Sequence, residues 1–223
     1  MSTAVDEPLV EAIATDRSIE TMQDLLVRLG GVAPDRVLLS PPPGAATEAD
    51  LLRLPHEVQK ICELIDGTLV VKAVGAPESS IAMDLVMYLG RYPGIKKLTV
   101  VLGPDGHTRY FGGHIRMPDV AVFLRSRLPD GKLPHQQICP VAPNFAVEVL
   151  SPGNTKREIE KKLRTFFDSG VQLAWVVDPR RRTVRVHTSA DAFTEVGEDG
   201  TVNVGDILPG FTLSVREWFE EAD

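Results

Sequence analysis

The chain is poor in cysteine, and the two it has, Cys62 and Cys139, stand far apart and outside any C-x-x-C pair. That excludes a disulfide framework and fits a reducing compartment, with both thiols read as small core side chains. Paired histidines are missing too. The five, at positions 56, 107, 114, 135 and 187, show no i, i+4 spacing and no neighbouring cysteine, which argues against zinc and leaves oxygen to hold any metal. No apolar run approaches the ~20 residues that cross a bilayer. Residues 1–16 lack the basic start and apolar stretch of a signal peptide, so the expectation is a cytoplasmic protein that makes no use of a membrane. Aromatics are few, with two tryptophans and three tyrosines, which counts against a glycoside hydrolase working in an aromatic-lined groove.

Charge is unevenly spread. The formal net charge of −7 argues against a protein that coats nucleic acid indiscriminately. Between Lys156 and Arg185, however, nine basic residues stand against four acidic ones, a local charge of +5. A cluster of this kind is ordinarily a solvated face, but this one lies just downstream of the acids described next and is a candidate for phosphate contacts.

Two carboxylates lie in segments that read as buried strands. Asp119 precedes Val120-Ala121-Val122-Phe123, and Glu148 interrupts Phe145-Ala146-Val147-Glu148-Val149-Leu150. Strand alternation puts Glu148 on the face of Ala146 and Leu150, and Asp119 on the face of Ala121 and Phe123, positions that ought to be apolar. Burying an ionised carboxylate costs several kcal/mol, about 3–5 for a pair broken on one side, unless a metal, a cation or hydrogen bonds compensate it. Two such acids point to a shared ligand. Mg²⁺ suits them, because it takes one or two carboxylates and leaves other positions to water or phosphate. The competing reading is that each acid pairs with an arginine for structure alone.

The surrounding pattern is that of an α/β core with a mixed sheet. A short amphipathic helix is expected from Ser18 to Leu29, ahead of the Pro41-Pro42-Pro43-Gly44 break, and another from Thr47 to Leu54 with Thr47 and Asp50 as a capping box. Asp66-Gly67 between two apolar runs predicts a type I′ hairpin over residues 61–71, with Glu63 in its first strand as an additional acid or as a surface residue. A helix is expected from Ser79 or Ser80 to Tyr92. Strands follow at 97–102, 108–111, 117–123 and 144–150. Thr155 and Glu158 cap a further helix to about Ser169. Strands at 171–178 and 183–187, short strand and turn material over 200–215, and a helix from Val215 to Glu221 complete the chain. Residues 1–46 are read as a tail and helical appendage, residues 47–215 as the main domain, and residues 216–223 as its last helix.

On the helix after Thr155, Ile159, Leu163, Phe166 and Phe167 centre an apolar stripe. At ~100° per residue Lys161 lies about 175° from it and Lys162 about 85°. Lys161 is expected in water, whereas Lys162 can lay its stem along apolar surface and deliver its ammonium to the sheet.

These residues resemble the Uma-type putative restriction endonucleases of the PD-(D/E)xK nuclease superfamily. The matching pieces run in order from PPPGAATEADLL and CELIDGTLVVK through RMPDVAVF and FAVEVLSPGNT to EKKLRTFFDSGVQLAWVVDPRRRTVRVHT and ILPGF, over roughly residues 40–213. The resemblance implies a restriction-endonuclease-like core, a mixed sheet flanked by helices, with Mg²⁺ or Mn²⁺ held by Asp119 and Glu148. Glu63 and Lys162 would complete the catalytic set. Leu150 stands where the superfamily has its lysine, and Lys162 matches a lysine moved to the next helix; a histidine often found after the first hairpin is replaced by Ser79 or Ser80. The implied activity is phosphodiester hydrolysis of nucleic acid, DNA in the first instance, with Lys156, Arg157, Arg180, Arg181 and Arg182 as backbone contacts. A homodimer is a further expectation, since cutting two strands calls for two sites. The alternative is the same fold kept as a binding or regulatory module without catalysis.

Overall fold

The computed structural model describes residues 19–73 and 75–222. The expected start of the first helix at Ser18 lies outside them. Helix α1 (Met22–Arg28) is closed by a capping box of Thr21 and Asp24, and α2 (Glu48–Arg53) by the expected pair Thr47 and Asp50. A single turn, α3 (His56–Gln59), leads into the hairpin of β1 (Cys62–Ile65) and β2 (Thr68–Val71). Asp66 and Gly67 both adopt positive φ, 47° and 64°, as a type I′ turn requires. A side chain at Gly67 would also strike Gly44 O at 2.6 Å.

The hairpin is not an exposed ribbon. Strand β1 also pairs with β5 (Ile115–Arg116), which pairs with β4 (Thr108–Arg109), giving a four-stranded sheet in the order β2-β1-β5-β4. Leu25, Leu29, Val32 and Val37 pack on Ile65 and Val70; Leu51 and Ala46 pack on Leu64, Leu69 and Ile115. All four residues of β1 are consequently buried.

Helix α4 (Ala76–Gly90) starts earlier than serine capping predicts, because Pro77 in its first turn needs no N–H partner there. The segment at 97–102 is likewise split into a helical turn, α5 (Ile95–Leu98), and β3 (Thr99–Leu102). Strands β6 (Val120–Leu124), β7 (Phe145–Val149), β8 (Leu173–Asp178), β9 (Thr183–His187) and β10 (Phe193–Val196) join β3 in a six-stranded sheet ordered β10-β9-β8-β7-β6-β3. Within this sheet β7 and β8 pair in parallel and the other neighbours antiparallel, and α6 (Lys156–Asp168) is the crossover such a parallel pair demands. Strands β11 (Thr201–Asn203) and β12 (Thr212–Ser214) form a separate ribbon before α7 (Val215–Ala222). The fold is therefore mixed α/β, with three sheets among the described residues where the sequence pattern points to one.

Alternation along β7 divides the core. Phe145, Val147 and Val149, with Val120, Val122, Trp175 and Val177, pack under α4 and α7. On the opposite face Ala146, Ala174 and Val176 meet Ile159, Leu163 and Phe166 of α6, the small alanines letting the helix approach closely. Helix α6 is pinned at its start. Arg36 holds Glu158 through Nη2–Oε1 at 2.6 Å and Nη1–Oε2 at 3.0 Å, and Thr155 Oγ1 donates to Gly30 O at 2.6 Å. No helix among the described residues is long and apolar enough to cross a membrane.

Candidate active site

The chain passes directly from the small sheet to the large one. Strand β5 ends at Arg116, β6 begins at Val120, and the joint is Met117-Pro118-Asp119. The β6–β7 register pairs Val120 with Val147, and the Asp119 N–H donates to Val147 O at 2.9 Å. One residue beyond the named ladder, Asp119 thus faces Glu148 across the two strands, on the side covered by α6. The Val149 N–H donates to Asp119 Oδ2 at 2.7 Å. Like charges directly opposed on a sheet destabilise it, so the arrangement requires cations.

Three cations are there. Lys162, beside the apolar stripe of α6, reaches Glu148 Oε2 at 2.8 Å and Glu63 Oε1 at 3.1 Å. Arg116 Nη1 lies 3.1 Å from Glu63 Oε2, and the Met117 N–H donates to Glu63 Oε1 at 2.9 Å. Lys72, just past β2, donates to Asp119 Oδ1 and to Met117 O, each at 2.7 Å. All six groups are buried, from 1% exposure for Arg116 to 8% for Lys72 and Asp119. Asp119, Glu148, Lys162 and Glu63 therefore meet in one place. Glu63 comes from the other sheet and is buried, not a surface acid.

Sequence reasoning missed Lys72 and Arg116. A signal for Lys72 exists: the Asp66-Gly67 turn sets Glu63 opposite Val70, and alternation then places residue 72 on the face of Glu63. Lys161, expected in water, is half-buried and pairs with Asp66 at 2.6 Å. The aspartate is therefore both a turn residue and an anchor for α6.

The three acids differ electrostatically. Burial works to raise Glu63, but Lys162, Arg116 and Lys72, with the Met117 N–H, outweigh it and hold this carboxyl well below the usual range. For Glu148 burial prevails. Its carboxyl is pushed up to about 7, against the attraction of Lys162 and with Asp119 adding to the rise. Two features explain the asymmetry: Glu148 shares its single close cation with Glu63, and its Oε1 is buried without a hydrogen-bond partner. Lys162 is raised, since Glu148 and Glu63 outweigh the burial that opposes its charge.

An orphaned carboxylate oxygen opposite a second carboxylate is a fitting donor set for a hard divalent ion. Among the described residues no group of three or more His, Cys, Asp or Glu side chains is arranged to hold a metal. Protein ligation would thus rest on Asp119 and Glu148, with water or substrate oxygens completing the shell. Glu63, tied to Arg116 and Lys162, stands behind them.

The basic residues divide. Lys156, Arg180 and Arg181 line a cleft of about 720 Å³ between α6 and the β9–β10 hairpin, which Leu150 also borders. Arg157 instead lines a smaller depression of about 390 Å³ with His114 and Lys161. Arg182 pairs with Glu198 at 2.8 Å and lies over the Phe219 ring of α7, on the side of the sheet away from α6.

Comparison with known proteins agrees with this architecture. The family described as "Uma2: Putative restriction endonuclease" matches residues 48–216, about three quarters of the chain, and the chain belongs to that family. No curated protein matches. Among solved structures, a crystal structure described as a putative nuclease belonging to DUF820 from Anabaena variabilis is similar, with a TM-score of 0.68 and 23% identity. The match covers 79% of this chain and 99% of that one, and it establishes the shared fold.

Proposed function

We propose that this chain is a metal-dependent endonuclease hydrolysing phosphodiester bonds of nucleic acid, with DNA the first substrate to test. The observation that carries the reading is the pair Asp119 and Glu148, opposed across β6 and β7, buried, and with Glu148 Oε1 left unpartnered. Lys162 and Lys72 offset these charges but leave Glu148 Oε1 without a partner. Mg²⁺ or Mn²⁺ held by the two carboxylates would satisfy that oxygen, and such an ion would supply a water of lowered pKa and positive charge against the phosphate.

The chain's own groups do the rest. The Val149 N–H fixes the Asp119 carboxylate. Lys162 keeps an ammonium beside Glu148, placed to stabilise negative charge developing on the phosphate. Glu63 orients Lys162 from behind, itself held by Arg116 and the Met117 N–H. Lys72 engages Asp119 Oδ1, so a divalent cation held by Asp119 would have to compete with its ammonium.

The test combines calorimetric titration of Mn²⁺ with cleavage of DNA and RNA in the presence and absence of metal. Wild type should bind Mn²⁺ and cut only with it. Asp119→Asn should lose the binding and about 10²–10³-fold of the cleavage rate. One observation favours a second reading, a nuclease fold kept as a binding module: three cations already neutralise the three carboxylates internally. Metal uptake with no cleavage of DNA or RNA, single- or double-stranded, would establish it.

A further inference from the structure

The cleft beside α6 has a composition that the hydrolytic site does not explain. Helix α6 covers the sheet over β7 and β8 but leaves the same face of β9 and β10 open. The floor there is Leu150, Val176 and His187. His187 is 5% exposed, and its Nδ1 has no hydrogen-bond partner. Directly across the ladder from it stands Phe193, 51% exposed, with ring centroids 4.9 Å apart. The Arg185 guanidinium lies 5.4 Å from the centre of the Phe193 ring. Arg180 and Arg181 enter from the β8–β9 turn and Arg164 from α6.

We propose that this cleft binds an unpaired segment of single-stranded nucleic acid, a base stacking on Phe193 and the flanking phosphates meeting Arg180, Arg181 and Arg185. The inference rests on the nuclease reading for its substrate class and adds strandedness to it. An exposed aromatic flanked by guanidinium groups is the pairing that holds unstacked bases, because every base offers a π-face only when it is out of a duplex. A duplex offers phosphates but no such face. The cleft's volume lies within the range of sites that enclose a small ligand. Its position also fits, since Leu150, which borders it, lies just past the end of β7 and two residues beyond Glu148.

Glu195 supplies an internal control. It pairs with Arg185 at 2.8 Å and with Arg181 at 3.2 Å, so a phosphate must compete with its carboxylate for both guanidinium groups.

The experiment is fluorescence anisotropy in EDTA, where metal-dependent cleavage cannot interfere, with labelled oligo(dT), oligo(rU) and an oligo(dT)·oligo(dA) duplex. The expected result is tighter binding of the single strands than of the duplex. Phe193→Ala should weaken single-strand binding by about tenfold. Arg180→Ala should reduce the salt slope by about 0.7, and Glu195→Gln should strengthen binding several-fold. Both Phe193 and Glu195 are at the surface, so neither change threatens the core. Equal affinity for duplex and single strand, or an unchanged affinity in Phe193→Ala, overturns the proposal. A Mn²⁺ titration of wild type run alongside separates the two ideas: intact metal uptake with no Phe193-dependent binding removes the cleft and leaves the metal site standing. Phe193-dependent binding without metal uptake does the reverse.

Discussion

Replacing Lys162 with methionine is expected to lower metal-dependent cleavage by about 10²–10³-fold, the loss seen when one preorganised electrostatic group is removed from a reacting centre. Lys162 is the ion-pair partner of Glu148 and is shared with Glu63, at 2.8 and 3.1 Å. Without it Glu63 keeps Arg116 and the Met117 N–H, whereas Glu148 keeps no cation in contact. Removing one partner from a buried pair typically costs about 3–5 kcal/mol if the other stays charged. Glu148 has a way out, because its carboxyl already sits near 7 and loss of the ammonium drives it higher, so it takes up a proton at neutral pH. The variant should therefore fold with modestly reduced stability in urea and show little cleavage in single-turnover assays with Mn²⁺. Cleavage within threefold of wild type would remove Lys162 from the mechanism.

Glu148→Gln should flatten the pH dependence of stability. In the folded chain the Glu148 carboxyl lies at about 7, against an ordinary value of 4.5. Between those pH values the native state holds more protons than the unfolded state, so stability from this group is greatest at acid pH, falls as pH rises from 4.5 to 7, and levels off above. The fall amounts to about 3 kcal/mol. Urea denaturation of wild type near pH 5 and near pH 8 should reveal it, and the glutamine variant should lack it. Glu63 has the opposite sign and a separate window. Its carboxyl is depressed, so its contribution is present above 4.5 and lost only in stronger acid. Because metal ligands bind as anions, Mn²⁺ affinity should climb over the same interval in which the apo protein loses stability. A wild-type stability that rises between pH 5 and pH 7 by the amount predicted to be lost would show that Glu148 is not held protonated by its surroundings.

The parts of this site that could be read from sequence are those governed by local rules. Asp66-Gly67 announces its turn through the backbone conformations it needs, and Thr155 with Glu158 announces the start of α6 through a capping box that forms as expected. Glu148 stands out because alternation assigns it to an apolar face, and the helical period separates Lys162 from Lys161. The cations Lys72 and Arg116 are less legible, since a basic residue at the end of a short strand normally marks solvent. Their burial follows from the joint at Met117-Pro118-Asp119, where two sheets meet, and that meeting is non-local. Non-local pairing decides Glu63 as well, which reads as a surface acid on a ribbon until β5 pairs with β1 and α1 and α2 cover the two faces. The arginine run at 180–182 reads as one patch, but it forms the β8–β9 turn, and Arg182, at a φ of 49°, lies on the opposite side of the sheet from Arg181.

The most direct measurement is anomalous diffraction from a crystal soaked in Mn²⁺. The account predicts a single strong peak between the Asp119 and Glu148 carboxylates, with the Lys72 ammonium displaced from Asp119 Oδ1 and Lys162 still on Glu148. A soaked crystal in which Lys72 keeps its bond to Asp119, Glu148 Oε1 stays unligated and no peak lies between the two acids would contradict it.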